Sequence, residues 1–254
     1  MKLTIFCYMV LFVFSICGDD YFKPEDVSYP LIEPKRMEAR DVPYFVFINT
    51  PAEDQKYCGG AIISQTFILT SATCFSFSKP STVFVEVGST KYNVSKIIKH
   101  GNYGNPKWDF DIAIIELKES LSYSSIARPI ELPNRIEYLN EPEWCNVTAY
   151  DISISSNMTK PTIYTVRLPV VGLEKCQKLF LINDEFQITR HTLCVGLVNI
   201  EATRSYVYRN KGAPLIALGK LQGIGMSTAV DEDHPHIFAR VSSVREWIRR
   251  NTGL

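Results

Sequence analysis

The chain has 254 residues, a formal net charge of zero and a hydrophobic fraction of 46%. A chain of this length can bury a large core, in one domain or in two. The balanced charge argues against nucleic acid or an anionic membrane surface as the main partner.

The first 18 residues have the features of a secretory signal peptide. Lys2 supplies the positive start, residues 3–16 form a mostly apolar run, and small residues precede Asp19. The run is shorter than the roughly 20 apolar residues that cross a bilayer, which disfavours the alternative of an uncleaved anchor. We therefore expect a secreted, extracellular chain that leaves the membrane after signal cleavage.

Short β-rich segments dominate the chain after the signal. Residues 19–41 are polar and rich in proline, which predicts an irregular leader. The segments that follow are evenly spaced with no long helices between them, and this pattern favours an antiparallel sandwich or barrel. Predicted strands cover 44–48, 61–64, 67–71, 83–87, 92–99, 112–117, 145–150, 162–169, 193–198, 214–218, 221–226 and 236–241.

Two helices are predicted, and the more distinct one ends the chain. The shorter covers 174–180. The C-terminal helix covers 243–250, where Ser243 is expected to cap the N-terminus with Glu246 three residues later. The arginine pair at its end suits the negative pole of the helix dipole.

Five stretches share their order and spacing with one protease family. They read Tyr-Cys-Gly-Gly-Ala-Ile-Ile at 57–63, Phe-Ile-Leu-Thr-Ser-Ala-Thr-Cys at 67–74, Asp-Ile-Ala-Ile-Ile-Glu-Leu at 111–117, Arg-Pro-Ile-Glu-Leu-Pro at 128–133 and Pro-His-Ile-Phe-Ala-Arg-Val at 235–241. Together they resemble the chymotrypsin/trypsin-like (S1) serine proteases. The resemblance implies an all-β fold of two six-stranded antiparallel barrels with a C-terminal α-helix, and an ancestral active site in the cleft between the barrels.

The resemblance also implies domain bounds. A trypsin-like domain is expected over 42–254, with an N-terminal barrel over about 42–128 and a C-terminal barrel over about 144–242. The C-terminal helix over 243–250 completes it. Prolines between 128 and 143 mark the connection between the two halves.

The catalytic residues of the family are replaced at two of three matching positions. The acid matches Asp111, the base position is Thr73, and the nucleophile position is Lys211. Peptide cleavage by this route needs a nucleophile, a base that takes its proton and an acid that orients the base. The resemblance therefore implies a secreted homologue that is catalytically inactive.

Two further family positions are changed beside Lys211. Arg209 stands where a glycine lets the backbone form the oxyanion hole, and Asn210 stands where an aspartate receives the activated N-terminus. Counting back from Pro43 places the family's activation cut behind Pro30, where no basic residue stands. Activation is thus expected to be lost independently of the catalytic groups.

A buried Asp111 without its histidine would need a new partner, because an unpaired buried carboxylate costs several kcal/mol, in round terms about 3–5. Lys211 has the length to reach it. We predict a Lys211–Asp111 ion pair with Thr73 as an additional donor, and the alternative is a solvated lysine on a loop.

The resemblance implies two disulfides, Cys58–Cys74 and Cys176–Cys194, and leaves Cys145 over. A buried free thiol is the first interpretation of Cys145, and an intermolecular bridge is the alternative. Sequons at Asn93, Asn146 and Asn157 are candidates for N-glycosylation. No cofactor or metal is expected, since no carboxylate or cysteine spacing supports a site at His234 and His236.

The expected function follows from these features. The chain is similar to clip-less insect serine protease homologues of haemolymph and reproductive fluid. Its expected partner is an extracellular protein, either a protease, a protease inhibitor or a component of a complex. The alternative is a residual or unusual hydrolase activity that uses Lys211 as base or amine nucleophile.

Overall fold

A computed structural model describes residues 34–53, 56–151, 161–180, 187–196, 211–226 and 234–254. Several sequence predictions fall outside these ranges. They are the signal peptide over 1–18, the sequon at Asn157, and the replaced oxyanion and activation positions Arg209 and Asn210.

The described chain is built almost entirely from strands. Its two α-helices are α1 (Leu173–Phe180) and α2 (Arg245–Thr252). The strands are β1 (Lys35–Met37), β2 (Phe45–Asn49), β3 (Tyr57–Ile62), β4 (Phe67–Thr70), β5 (Phe84–Val87), β6 (Thr90–Lys99), β7 (Ala113–Leu117), β8 (Trp144–Asp151), β9 (Thr162–Val171), β10 (Thr192–Val195), β11 (Pro214–Ala217), β12 (Lys220–Gly225) and β13 (His236–Arg240).

The first barrel closes in the order β2-β3-β4-β7-β6-β5. All its strand pairs are antiparallel, and the β4–β7 register sets Thr70 opposite Ala113. Branched aliphatic side chains suit such a pleated, enclosed surface. Its core includes Val46, Ile48, Ile62, Ile68, Val85, Val94 and Ile115.

The second barrel follows the order β8-β9-β10-β13-β12-β11, and β8 closes it by pairing with β11 as well as β9. Its core includes Val147, Val166, Leu168, Leu193, Leu215 and Phe238. The predicted pair of six-stranded antiparallel barrels with a C-terminal helix is thereby confirmed.

Strand β1 corrects one local prediction. Residues 35–37 lie within the segment expected to be irregular, yet they pair antiparallel with β9, with Lys35 opposite Thr165 and Met37 opposite Ile163. This strand was not predicted, because the prolines of residues 19–41 suggested an irregular segment. Residues 35–37 themselves contain no proline, and they extend an edge that β9 already presents. The second barrel thus has a seventh strand attached to its sheet.

Helix α2 begins two residues later than predicted. The chain first makes a 3₁₀ turn over Val241–Val244, and the helix starts at Arg245 without a side-chain cap. Ser243 Oγ instead donates to the Arg240 carbonyl at 2.7 Å. Glu246 pairs with Arg249 at 2.7 Å. The predicted Ser243 cap is therefore wrong, because the turn uses its hydroxyl.

Two apolar clusters join the barrels. One combines first-barrel residues such as Leu69 and Ile114 with Leu221 of the second barrel and Ile248 of α2. In the other, Tyr150 packs with Phe45, and its hydroxyl donates to the Tyr57 carbonyl at 2.6 Å. Packed side chains of both barrels therefore meet where the two barrels contact each other.

Each barrel contains one disulfide, Cys58–Cys74 in the first and Cys176–Cys194 in the second. Cys145 is free and buried. Burial, with a further contribution from the charge of Glu143, raises the pKa of the Cys145 thiol to about 12. A thiol in this state is a poor nucleophile, since the thiolate is the reactive form.

Among the described residues, no helix is long and apolar enough to cross a membrane.

Candidate functional site

The end of β4 and the start of β7 bring Thr73 next to Asp111. These strands are neighbours, with Thr70 opposite Ala113. After β4 the chain enters a 3₁₀ turn over Ala72–Phe75, and the Ser71 side chain caps this turn by accepting from the Thr73 N–H at 3.2 Å. The Cys58–Cys74 disulfide fixes the same turn to β3.

Asp111 is almost fully buried, at 1% exposure. Its Oδ1 accepts from the Thr73 N–H at 2.8 Å, and its Oδ2 accepts from Thr73 Oγ1 at 2.8 Å. The Ser71 hydroxyl lies 2.8 Å from both oxygens. A buried carboxylate is stabilised when donors satisfy its lone pairs, so these three donors replace much of the water that Asp111 has lost.

A third hydroxyl extends this arrangement. Tyr103 Oη lies 3.0 Å from Thr73 Oγ1. Since a threonine hydroxyl has one proton and Thr73 gives it to Asp111, Tyr103 must be the donor of this bond. Burial raises the pKa of Tyr103, and the charge of Asp111 raises it further. The result is a directed chain from Tyr103 through Thr73 to Asp111.

Sequence reasoning missed Ser71 and Tyr103. The sequence did contain a hint of the role of Ser71. The matching family strand reads Thr-Ala-Ala-His-Cys, and this chain has serine at the first alanine. A single Ala-to-Ser difference carries little information without the position of Asp111, 40 residues away. Tyr103 lies in a loop without a distinctive sequence pattern, so the sequence offered no reason to place it near Asp111.

The loop of Lys211 retains backbone contacts with the first barrel. The Lys211 carbonyl accepts from the Gly59 N–H at 2.8 Å, and the Gly212 N–H donates to the Gly225 carbonyl at 2.8 Å. Gly212 has a φ of 76°, and a Cβ there would collide with the Gly59 oxygen and Thr70 Oγ1. Only glycine fits this position, because it combines a left-handed backbone with direct backbone contact.

The predicted Lys211–Asp111 ion pair is wrong. Among the described residues, no carboxylate oxygen lies within 4.0 Å of Lys211 Nζ. The Lys211 side chain is half-buried. Thr73 and Ser71 instead supply the described hydrogen bonds to Asp111. The predicted donation by Thr73, in contrast, is present.

The hydroxyl groups that contact Asp111 are poor proton acceptors. The residue that contacts it where the family motif has histidine is a threonine, whose hydroxyl does not accept a proton near neutral pH. Within the described ranges, no three or more His, Cys, Asp or Glu side chains are placed to hold a metal ion. His234 lies elsewhere, with Nε2 2.9 Å from the Leu179 carbonyl.

Two of the three sequons lie in described strands. Asn93 is on β6 and Asn146 is on β8, and both side chains are exposed. Neither position would require the fold to open in order to carry a glycan.

The two closed barrels, the disulfide beside Thr73 and the contact of Thr73 with buried Asp111 define a trypsin-like protein. The chain belongs to the trypsin family, whose model matches residues 32–248.

Curated relatives of similar sequence include two insect trypsins. Trypsin 5G1 of Aedes aegypti is 25% identical over 228 residues, which cover 86% of this chain and 83% of that protein. A trypsin of Phaedon cochleariae is 28% identical over 208 residues, which cover 77% of this chain and 79% of the relative.

Solved structures of similar shape include two scabies mite inactivated protease paralogues. S-D1 superposes with a TM-score of 0.76 at 21% identity, covering 87% of this chain and 97% of its own. S-I1 superposes with a TM-score of 0.74 at 24% identity, covering 87% and 99%. At these identities the two structures show a shared fold alone.

Proposed function

We propose that this protein is a secreted, non-catalytic member of the trypsin family that acts by binding another extracellular protein. The observation that carries the proposal is the contact of Thr73 with Asp111. The carboxylate that would orient a histidine base instead accepts from Thr73 N–H and Oγ1, both at 2.8 Å. A hydroxyl in this place stabilises the fold but supplies no base.

Three further features support this proposal. Lys211 stands at the nucleophile position and Asn210 at the activation acceptor of the family motif. Ser71 and Tyr103 extend the hydroxyl arrangement around Asp111, which favours a static, polar packing role for this region. Two inactivated protease paralogues of the scabies mite have the same fold.

The extracellular setting is supported by the signal-like sequence over 1–18 and by the two disulfides. Disulfides persist in oxidising compartments and are rare in the cytosol. Exposed Asn93 and Asn146 provide glycan positions in that setting. A role like that of clip-less insect homologues, in haemolymph or reproductive fluid, fits these features.

The catalytic part of the proposal is tested with a fluorophosphonate probe and a panel of peptide substrates. We expect neither labelling nor turnover from the purified mature protein, with an active trypsin as the positive control. Turnover that disappears in Lys211→Ala would overturn the proposal in favour of a hydrolase that uses Lys211.

A restoration variant tests how deeply activity has been lost. Thr73→His combined with Lys211→Ser returns two family residues, yet we expect no robust peptide hydrolysis, because Arg209, Asn210 and the N-terminal region are unchanged. Efficient hydrolysis by this double variant would show that these other positions matter little.

The binding part of the proposal needs a partner. Affinity capture of the mature protein from its native secretion, with mass spectrometry of what co-purifies, should recover an extracellular protease, an inhibitor or a member of a protein complex. A control bait of an active trypsin with its serine blocked separates partners specific to this chain from general inhibitors of the fold.

A further inference from the structure

Two histidines from different barrels enclose one aromatic ring. The His100 ring stacks on Phe110 with a centroid distance of 4.5 Å and an interplanar angle of 6°, and His191 contacts Phe110 at 4.4 Å. Trp247 of α2 meets the His100 ring edge-on at 5.0 Å. We call His100, Phe110 and His191 the histidine clamp.

The histidine clamp holds a strained segment. Trp108 has a φ of 70° and Phe110 has a φ of 52°, both in the left-handed region that bulky residues avoid. Such a conformation costs about 1–3 kcal/mol per residue and persists only where surrounding contacts impose it. Phe110 directly precedes Asp111, so the clamp acts on the backbone that positions this carboxylate.

A second buried carboxylate, next to the clamp, makes hydrogen bonds to residues of both barrels. Asp109 is 3% exposed. Its Oδ1 accepts from the Phe110 N–H at 3.0 Å, and its Oδ2 accepts from Thr189 Oγ1 at 2.9 Å. Thr189 Oγ1 also accepts from the His191 N–H at 3.0 Å. Asp109 thus links the strained segment to the turn that carries His191.

Burial and nearby charges together set the pKa values of the two imidazoles. Burial lowers the pKa of His100, and the neighbouring His191 and Arg250 lower it further, against an opposing effect of Asp109. Burial also lowers the pKa of His191, where Asp109 opposes the effects of Arg190 and Arg240. The charge of Asp109 therefore raises both pKa values, and the charges of Arg190, Arg240 and Arg250 oppose it.

The hydrogen bonds of the rings favour the neutral forms too. His100 Nδ1 accepts from the Asn102 N–H at 3.2 Å, which leaves this nitrogen without a proton. His191 Nδ1 is buried and has no hydrogen-bond partner among the described residues. A proton added at either nitrogen would lose an acceptor or bury an unpaired donor, which costs about 1–3 kcal/mol.

We propose that the histidine clamp is an acid-released latch, in which protonation of His100 and His191 loosens the segment that carries Asp111. The clamp is complete when both rings are neutral. Because the folded-state pKa values lie below the unfolded value of about 6.5, the stabilisation is fully present above that pH and is lost as pH falls below it. The proposal does not depend on whether the site has catalytic activity.

The test follows ring and backbone signals of the full-length mature protein by NMR from about pH 8 to about pH 5, on both sides of the ordinary histidine pKa. His236 stays neutral in this range, because burial lowers its pKa to about 4. We expect the His100 and His191 rings to titrate below 6.5 and the amide signals of residues 109–112 to shift or broaden with the same midpoints.

Two variants make the assignment specific. In the His100→Gln/His191→Gln double variant, the amides of residues 109–112 should no longer respond to pH in this range. His234→Gln is the matched control, since His234 contacts Leu179 and Phe180 instead, and it should keep the wild-type response.

The proposal is overturned if the double variant keeps the wild-type response of residues 109–112, or if either ring titrates at or above 6.5. Should the double variant not fold, the wild-type titration decides alone. Coincident midpoints for the rings and the amides support the latch, and amides that stay unchanged while the rings titrate refute it.

Discussion

The two sides of the candidate site differ in what holds them. On the first-barrel side, Ser71, Thr73 and Tyr103 surround Asp111 with side-chain hydroxyls. On the second-barrel side, Lys211 and Gly212 are held by backbone contacts with Gly59 and Gly225. The Asp111 side is thus a buried network of side-chain hydrogen bonds. On the Lys211 side, the hydrogen bonds are made by the backbone, and the side chain is half-exposed.

This difference shows that the two sides of the candidate site are subject to different constraints. A buried carboxylate requires its neighbours to supply hydrogen-bond donors. The half-buried Lys211 side chain has no such requirement. Its backbone must still run close to the other barrel, whatever residue it carries.

The largest effect is expected at the backbone contact of the Lys211 side. In Gly212→Ala the new Cβ would collide with the Gly59 carbonyl and the Thr70 hydroxyl at a positive φ. We expect a loss of about 4 kcal/mol in the free energy of unfolding, or no folded protein. Urea denaturation measures this. Gly219→Ala is the control, with positive φ but open space around its Cβ. A similar small loss in both variants would contradict the close-contact argument.

The next largest effect is expected on the Asp111 side. Thr73→Val keeps the shape and the backbone donor but removes the Oγ1 donor to Asp111. We expect a loss of about 2–3 kcal/mol, because a buried charged acceptor loses one partner. Thr73→Ser retains a hydroxyl and should lose less than about 1 kcal/mol by the same measure. Equal losses in both variants would mean that the hydroxyl contributes nothing.

A smaller effect is expected at the outer end of the hydroxyl chain. Tyr103→Phe removes the donor to Thr73 and should cost about 1 kcal/mol. Because the folded-state pKa of Tyr103 is raised, its contribution is present below pH 10 or so and is lost as pH rises beyond that. Ultraviolet difference titration of wild type against Tyr103→Phe should show one late-ionising tyrosine. A Tyr103 that ionises with the exposed tyrosines would contradict this.

The smallest effect is expected at Lys211 itself. Lys211→Ala should change the free energy of unfolding by less than about 0.5 kcal/mol, since the side chain is half-exposed and lacks an ion pair among the described residues. Thermal melting at matched pH measures this. A loss above about 2 kcal/mol would indicate a buried electrostatic role of the kind first predicted from the sequence.

The strands and barrels were predictable because short alternating segments and ordered motifs carry that information locally. The C-terminal helix was found, but its start was misplaced, since a 3₁₀ turn uses the Ser243 hydroxyl. At the site, the burial of Asp111 and the donation by Thr73 were predicted correctly, whereas the ion pair with Lys211 was not. Lys211 had the length to reach Asp111, but the sequence could not show that Ser71 occupies the same carboxylate.

The clustering of His100 and His191 was also beyond sequence reasoning. The two residues are separated by 91 positions and belong to different barrels, and each looks like an isolated surface histidine in the sequence. Only the packing of both barrels against Phe110 brings them together.

The pairing of β1 with β9 would hold the two barrels together even if the chain between them were cut. Each disulfide joins residues of a single barrel, one in the first and one in the second. A cut in the connection between Leu117 and Trp144 would therefore leave two fragments with no covalent bond between them. The amino-terminal fragment would still contribute Lys35–Met37 to the sheet of the carboxy-terminal one. The fragments would therefore complement each other by sharing a strand, and dissociation would require the carboxy-terminal barrel to give up an edge of its own sheet.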